Sequence, residues 1–275
     1  MHQTSPDLDA YLRRIGYEAD GRPGPDEQGL RVIHALHVAA IPFENLSPLL
    51  GEEVALDLGA LQDKLLARGR GGWCFEHNLL LQQMLQALGF SVRAVAARVR
   101  WNAAPGVVNP RTHMLLLVTL NGEDWLADAG FGGMTLSAPL RLQAHLPQET
   151  PHGRFRIEPE GAAFLLQAEL PEGWRTLYAF DLQPQLLPDF ELTNWYLSHH
   201  PRSPFVSKLM AARAEPGRRH ALLNNRYTLH HAGGSETRVL ERPDELGRLL
   251  TQAFGIQLPA HPELDTRLRQ LTGAA

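Results

Sequence analysis

One cysteine, Cys74, stands in the whole chain. That excludes an intramolecular disulfide, fits a reducing compartment and leaves a single thiol to be explained. Long apolar runs are missing as well: the most apolar stretch, Met114 to Val118 with its flanks, falls far short of the roughly 20 residues that span a bilayer, so no transmembrane helix and no membrane partner is expected. The N-terminal Met1-His2-Gln3-Thr4-Ser5-Pro6-Asp7 has no basic segment and no apolar one behind it, unlike a secretory signal, and the expected location is cytoplasmic. An excess of either charge is absent too. The formal net charge is -4, which argues against a nucleic-acid partner, because neutralising phosphates requires a basic face. There is neither an internal repeat nor a low-complexity tract.

What is present suits an enzyme of ordinary size. The 275 residues, 44% hydrophobic and 20% charged, allow one large domain or two to three smaller ones around a well-buried core. The first part reads as helical. Leu8, Tyr11, Leu12 and Ile15 recur at helical spacing before Gly16, Glu27 to Ala40 carries a second apolar stripe stopped by Ile41-Pro42, and Leu58 to Ala67 a third. After the Gly69-Arg70-Gly71-Gly72 break, a further amphipathic helix runs from Cys74 towards Gly89. The period then shortens to that of strands over Ser91 to Trp101, Thr112 to Leu120, Phe155 to Glu158, Ala163 to Leu170 and Trp174 to Phe180. Gly21 to Pro25 and Pro147 to Pro159 read as loops, and Asp189 to Arg213 regains helical character. Short strands at Tyr227 to His230 and Thr237 to Leu240 and a helix over Asp244 to Phe254 close the chain. The expected units are therefore 1–89, helical and carrying the cysteine, 90–190, built of strands, and 191–275, mixed.

A lone cysteine is most often a small buried hydrophobe, so its neighbourhood must decide its role. Cys74 opens a helix, where unpaired backbone amides and the positive end of the dipole favour thiolate over thiol, as a protonated histidine beside it would. Gly71 and Gly72 before it permit a turn or a close approach that a side chain would block.

A thiolate nucleophile needs a base, and 13 histidines are too many for composition to choose among. Hairpin geometry narrows them. If Asn121-Gly122 is a two-residue turn, Leu120 pairs with Glu123, His113 falls opposite Gly130 and Asp128 opposite Leu115. His113 and Asp128 then share one face as diagonal neighbours about 7 to 8 Å apart, a gap their side chains bridge. A carboxylate flanked by Leu126-Ala127 and Ala129-Gly130 needs a partner if buried, and an aspartate on the imidazole completes a Cys-His-Asp arrangement. The bland alternative for His113 is a half-buried strand histidine bonded to a local carbonyl. His77, one turn after Cys74, is the alternative base, although reaching the sulfur from the same helix is awkward. The pairs His34/His37, His199/His200 and His230/His231 make no recognisable ligand set with one cysteine, so no metal is expected. Glu76 and Asn78 read as polar contacts at the helix start.

Arg70-Gly71-Gly72-Trp73-Cys74-Phe75-Glu76-His77-Asn78, Thr112-His113-Met114 and Asp128-Ala129-Gly130-Phe131-Gly132 together resemble the arylamine N-acetyltransferases. Ile41-Pro42-Phe43-Glu44-Asn45-Leu46 and Asn194-Trp195-Tyr196-Leu197-Ser198, with Pro201, Ser203, Phe205 and Val206, agree with that family in the same order, and the likeness loosens beyond Arg213. The resemblance implies an α+β fold of three parts: an N-terminal helical bundle, a central β-barrel and a C-terminal α/β lid, around a papain-like Cys-His-Asp core of Cys74, His113 and Asp128. It implies no tightly bound cofactor, acetyl-CoA as acyl donor, and ping-pong transfer through an acetyl-Cys74 thioester to an aromatic amine or hydrazine, with O-acetylation of N-arylhydroxylamines as a variant. It also implies that Phe43, Val99, Phe131 and Phe205 line the acceptor pocket, and that Thr112, Gly130, Gly132 and Gly133 lie near the CoA channel. The rivals are an amide synthase closing a macrolactam with the same residues, a papain-like thiol hydrolase or transglutaminase, and a binding module with a vestigial triad.

Overall fold

The structure is a computed structural model that describes residues 5–104 and 106–274; the expectation drawn on Met1 to Thr4 lies outside the described residues. Local signals set the first helices. α1 (Leu8–Ile15) starts where the Asp7 carboxylate accepts from the Ala10 amide and stops at Gly16, which takes the left-handed conformation. α2 (Glu27–Ala40) is capped by Asp26 through the Gly29 amide and ends at Ile41, ahead of Pro42. A two-residue strand, β1 (Phe43–Glu44), and the single turn α3 (Leu46–Leu49) follow. The helix expected over 58–67 is α4 (Leu58–Gln62) continued by a π turn, Asp63–Ala67, that carries Lys64 inward. α5 (Cys74–Ala87) ends before Gly89, whose φ is +92°.

The middle of the chain forms an eight-stranded antiparallel sheet. β2 (Ser91–Val99), β3 (Arg111–Leu120), β4 (Glu123–Ala127) and β5 (Leu140–Arg141) make one half, and β6 (Gln148–Thr150), β7 (Gly153–Glu160), β8 (Ala163–Leu170) and β9 (Gly173–Pro184) the other, in the order β5-β4-β3-β2-β9-β8-β7-β6. The sheet curls until its two ends meet. The Gln148 side chain bridges β5 and β6, accepting from the Arg141 amide at 2.8 Å and donating to the Arg141 carbonyl at 2.9 Å. This is the nearly closed barrel that the resemblance implied. Its strands β2 and β3 are buried on both faces, which is why 114–118 is a continuous apolar run instead of an alternating one. Ala94, Ala96, Met114, Leu116 and Val118 pack on the helices, while Val95, Ala97, Leu115 and Leu117 fill the barrel with Phe155, Ile157, Tyr178 and Phe180.

The remainder is a five-stranded sheet with helices. α6 (Leu187–His199) leads through a 3₁₀ turn, Pro204–Val206, into β10 (Met210–Glu215), β11 (Arg218–Leu223), β12 (Arg226–His231) and β13 (Gly234–Val239), then α7 (Pro243–Gln252) and α8 (Leu264–Thr272). β1 joins this sheet from the N-terminal part, pairing Phe43 with Ala212 and Glu44 with Ala211. Among the described residues no helix is long and apolar enough to cross a membrane.

Two expectations need correction. Met210 to Arg213 are strand, not helix, because β10 is paired on both sides, by β1 and β11, and this outweighs the helical propensity of Met-Ala-Ala-Arg. Pro147 to Pro159 is not a loop but most of β6 and β7; Pro159 is tolerated because β6 pairs only with 153–155, leaving that edge of β7 free of ladder partners at position 159. The strand β11 and the helix α8 have no counterpart among the elements expected from the sequence.

Two buried ion pairs fix the segment that enters α5. Arg70 Nε lies 2.7 Å from Glu44 Oε1, and Lys64 Nζ 2.6 Å from Glu76 Oε1. Glu44 is fully buried and Arg70 holds its carboxyl below the usual range against the opposing effect of burial. Replacing Arg70 with Met strands that charge; urea unfolding is expected to register a loss of about 3–5 kcal/mol, and a change within 1 kcal/mol would refute the assignment.

Candidate active site

Cys74 is the first residue of α5, 6% exposed, with its sulfur 3.8 Å from the carbonyl oxygen of Thr112 on β3. The turn ahead of it depends on close contact, since neither glycine has positive φ. A Cβ on Gly71 would sit 2.0 Å from the Pro42 oxygen, and one on Gly72 2.7 Å from Glu76 Oε2. The Glu76 carboxylate also accepts from the Trp73 amide at 3.0 Å, which starts the helix.

The hairpin behind Cys74 has the expected turn and pairing. Asn121 and Gly122 both have positive φ, 52° and 83°, and Leu120 pairs with Glu123. The ladder ends at Leu116 opposite Ala127, so Asp128 is the first residue beyond it and Gly130 is not in register with His113. The side chains meet nonetheless: His113 Nε2 donates to Asp128 Oδ2 at 2.7 Å, and Cys74 lies close enough to the same ring to help raise its pKa. Because Nε2 is committed to the carboxylate, Nδ1 is the nitrogen left for the sulfur.

Asp128 is fully buried and accepts from four donors. Besides His113, Tyr178 Oη donates to Oδ2 at 2.9 Å, and the Asn78 amide and the Gly130 N–H donate to Oδ1 at 3.1 and 2.9 Å. Burial alone would favour its neutral form, but the imidazolium and these donors hold its pKa below the usual carboxylate range. The same pairing acts on His113 in the opposite direction. Burial disfavours its charged form, yet the charge and hydrogen bond of Asp128, with help from Cys74, raise its pKa to about 10. The stability that His113 contributes is full below the ordinary 6.5 and is lost as pH climbs through about 10.

His77, the alternative base, is engaged elsewhere. Its Nε2 is 3.1 Å from the Pro42 carbonyl, which can only accept, so Nε2 carries the proton and Nδ1 accepts from His37 Nε2 at 3.0 Å. His37 Nδ1 in turn accepts from the Tyr11 hydroxyl at 3.0 Å. Burial keeps this chain neutral, lowering His77 to about 4 and His37 well below its ordinary value. His34 accepts from the Asp128 amide at 3.2 Å.

The residues proposed for the pockets are distributed around this core. Phe131 stacks edge-on to both His113 and Tyr178, each at 5.0 Å. Phe205 packs 5.1 Å from Trp73 and 6.4 Å from Phe43. Val99 ends β2 opposite Tyr178, with its carbonyl held by Asn109. Thr112 touches the thiol through its backbone. Gly132, at φ +69°, lies under the Phe43 ring, and Gly133 accepts from Arg219 Nη1 at 2.9 Å. Gly130 packs against the nucleophile itself, where a Cβ would fall 2.5 Å from the Cα of Cys74. Among the described residues no group of three or more His, Cys, Asp or Glu side chains could hold a metal ion.

Sequence reasoning misses Tyr178, because nothing near it marks a strand tyrosine as a carboxylate donor. Asn78 reads from the sequence as a local contact, although its spacing of four from Cys74 already puts it on the same helix face. Its side chain joins α5 to β3 and to the segment after β4, donating to the Met114 carbonyl at 2.7 Å and accepting from the Ala129 amide at 3.1 Å.

NMR of His113 is expected to report an imidazolium from pH 6 to 8, and Asp128→Asn to move its titration below 6.5; a His113 that titrates near 6.5 in the unmodified protein contradicts the pairing. Gly130→Ala is expected to cost about 1–3 kcal/mol in thermal unfolding by overpacking against Cys74, whereas Gly133→Ala, whose Cβ meets nothing closer than 3.8 Å, is expected to be mild.

A family model described as N-acetyltransferase matches residues 27–262. The arylamine N-acetyltransferase / N-hydroxyarylamine O-acetyltransferase of Salmonella typhimurium is 43% identical over 90% of this chain and 88% of its own length. The arylamine N-acetyltransferase of Mycobacterium tuberculosis is 42% identical over 96% of this chain and 95% of its own. Among solved structures, Mycobacterium marinum arylamine N-acetyltransferase in complex with CoA superposes with a TM-score of 0.92 at 38% identity, covering 96% of this chain and 99% of that one.

Proposed function

This chain belongs to the arylamine N-acetyltransferase family, and from that premise we propose that it transfers the acetyl group of acetyl-CoA to arylamines and arylhydrazines through a thioester on Cys74. The observation that carries the proposal is an imidazole bonded to a buried carboxylate beside the chain's only thiol, whose sulfur lies 3.8 Å from the carbonyl oxygen of Thr112, the residue before that histidine. O-acetylation of N-arylhydroxylamines is included on the strength of the Salmonella relative's name.

The steps follow from where the proton rests. With His113 protonated, the Cys74 sulfur attacks the acetyl carbonyl as a thiolate, and the C–S bond to CoA breaks as the new one forms. His113 gives its proton to the departing CoA thiolate and is left neutral. A thioester has exchanged for a thioester, so the acyl-enzyme keeps the group activated. An aromatic amine, weakly basic and neutral at pH 7, then attacks; His113 takes the proton from its nitrogen and Cys74 leaves as thiolate, restoring the starting pair. Asp128 holds the ring with Nδ1 towards the sulfur and stabilises its charge. The first-turn amides of α5, unpaired within the helix, are the proposed donors to the oxyanion.

Residues 1–89 supply the nucleophile, 90–190 the base and its carboxylate, and 191–275 a cover over both. In this reading Phe43, Val99, Phe131 and Phe205 receive the ring of the acceptor, and Thr112, Gly130, Gly132 and Gly133 border the CoA channel. A cytoplasmic location fits a reactive thiol and a CoA substrate. Incubation with acetyl-CoA alone, followed by mass spectrometry, is expected to find one acetyl group on Cys74, discharged by adding an arylamine. Cys74→Ala and His113→Ala should each lower turnover by roughly 10³-fold or more. An unmodified Cys74, or turnover that survives Cys74→Ala, sinks the proposal.

A further inference from the structure

Phe205 reaches the neighbourhood of Cys74 on a short 3₁₀ turn, Pro204–Val206, that has little regular structure of its own to hold it. Two side chains hold it. Ser203 ties the turn to α6, its hydroxyl donating to the Leu197 carbonyl at 2.6 Å and accepting from the Phe205 amide at 3.3 Å. Asn45, 1% exposed, ties it to the segment after β1. Its amide nitrogen donates to the carbonyls of Phe205 and Lys208 at 2.8 and 2.7 Å, and its oxygen accepts from the Met210 amide at 2.7 Å. Three of the four hydrogen bonds an asparagine side chain can make are thus directed at one backbone segment, from Phe205 to the first residue of β10.

Asn45 also follows Phe43 by two residues, and Phe43 pairs with Ala212 further along β10. The two rings are therefore parts of one rigid arrangement. Phe43 rides on β1, Phe205 hangs from the Asn45 amide, and their centroids stand 6.4 Å apart beside Trp73, the residue before Cys74. Shifting the Asn45 amide shifts one ring relative to the other without touching the sulfur, His113 or Asp128. We infer that Asn45 is the positioning residue for the aromatic wall: by fixing the Phe205 carbonyl against β1 it sets the gap between Phe43 and Phe205, and so the ring size of the amine admitted to acetyl-Cys74. The inference rests on the reading that Phe205 lines the acceptor pocket.

Asn45→Asp tests it with almost no change of volume, since a carboxylate oxygen would then face two carbonyl oxygens. Acceptor KM for a one-ring amine is expected to rise about tenfold, and the preference for one-ring over two-ring amines to shrink, while the rate of Cys74 acetylation by acetyl-CoA without acceptor stays within about twofold. Phe205→Ala should raise acceptor KM by itself, and Asn45→Asp should add almost nothing in that background, because both act through one ring. If Asn45→Asp does not yield folded protein, Asn45→Gln, which keeps the amide one methylene farther out, goes through the same cycle. Effects that add in the double variant, or a fall in the acetylation rate equal to the change in acceptor KM, overturn the inference. An unchanged acceptor KM in Phe205→Ala overturns the acceptor-pocket reading on which it rests.

Discussion

A carboxylate with no access to water is among the costliest groups a protein can bury, and Asp128 is tolerated only because four donors reach it from different parts of the chain. His113 comes from β3, Asn78 from α5, Tyr178 from β9 and the Gly130 amide from the loop after β4. Satisfying this one charge requires the helices, the hairpin and the second half of the sheet to be in place together. The same charge accounts for the electrostatics of the site. It keeps a buried imidazole protonated where burial alone would neutralise it, and the buried His34 and His77 mark the contrast, each lowered to about 4 without a carboxylate bonded to its ring.

Around this centre, the segment that leads into α5 is held without slack. Glu44 and Glu76 each have a cation within hydrogen-bond distance, and the same two carboxylates cap the starts of α3 and α5 through the Leu46 and Trp73 amides. From Tyr11 through His37 and His77 to the Pro42 carbonyl, every donor points the same way, so the residue ahead of β1 is tied back to α1. Such interactions place a thiol within the tolerance that group transfer demands, at the cost of burying charge.

The features legible in the sequence are those governed by neighbours in the chain. Gly16 and Ile41-Pro42 mark helix ends because stop signals are local, and Asn121-Gly122 fixes the pairing of Leu120 with Glu123 because a two-residue turn leaves no freedom in the register. That register alone points His113 and Asp128 to a common face, and the ladder needs to hold only as far as Ala127 for the two side chains to meet. Tyr178 is invisible at that level because it arrives through the pairing of β9 with β2, strands separated by most of the barrel sequence. The residues of β10 mislead for a related reason, since their strand state depends on β1, which lies far back in the chain. The double role of Asn45, helix start and strut for a distant turn, is likewise written in long-range contacts alone.

The absence of a side chain at Gly130 has a consequence for how such a site can change over time. There α5 and the segment carrying Asp128 meet main chain to main chain, with no room even for a methyl group. Their separation is therefore set by bond lengths and atomic radii, not by rotamers, and it does not respond when residues lining the pockets are exchanged. Exchanging Phe43, Phe131 or Phe205 therefore leaves the main-chain spacing between Cys74 and the Asp128 segment where Gly130 has fixed it.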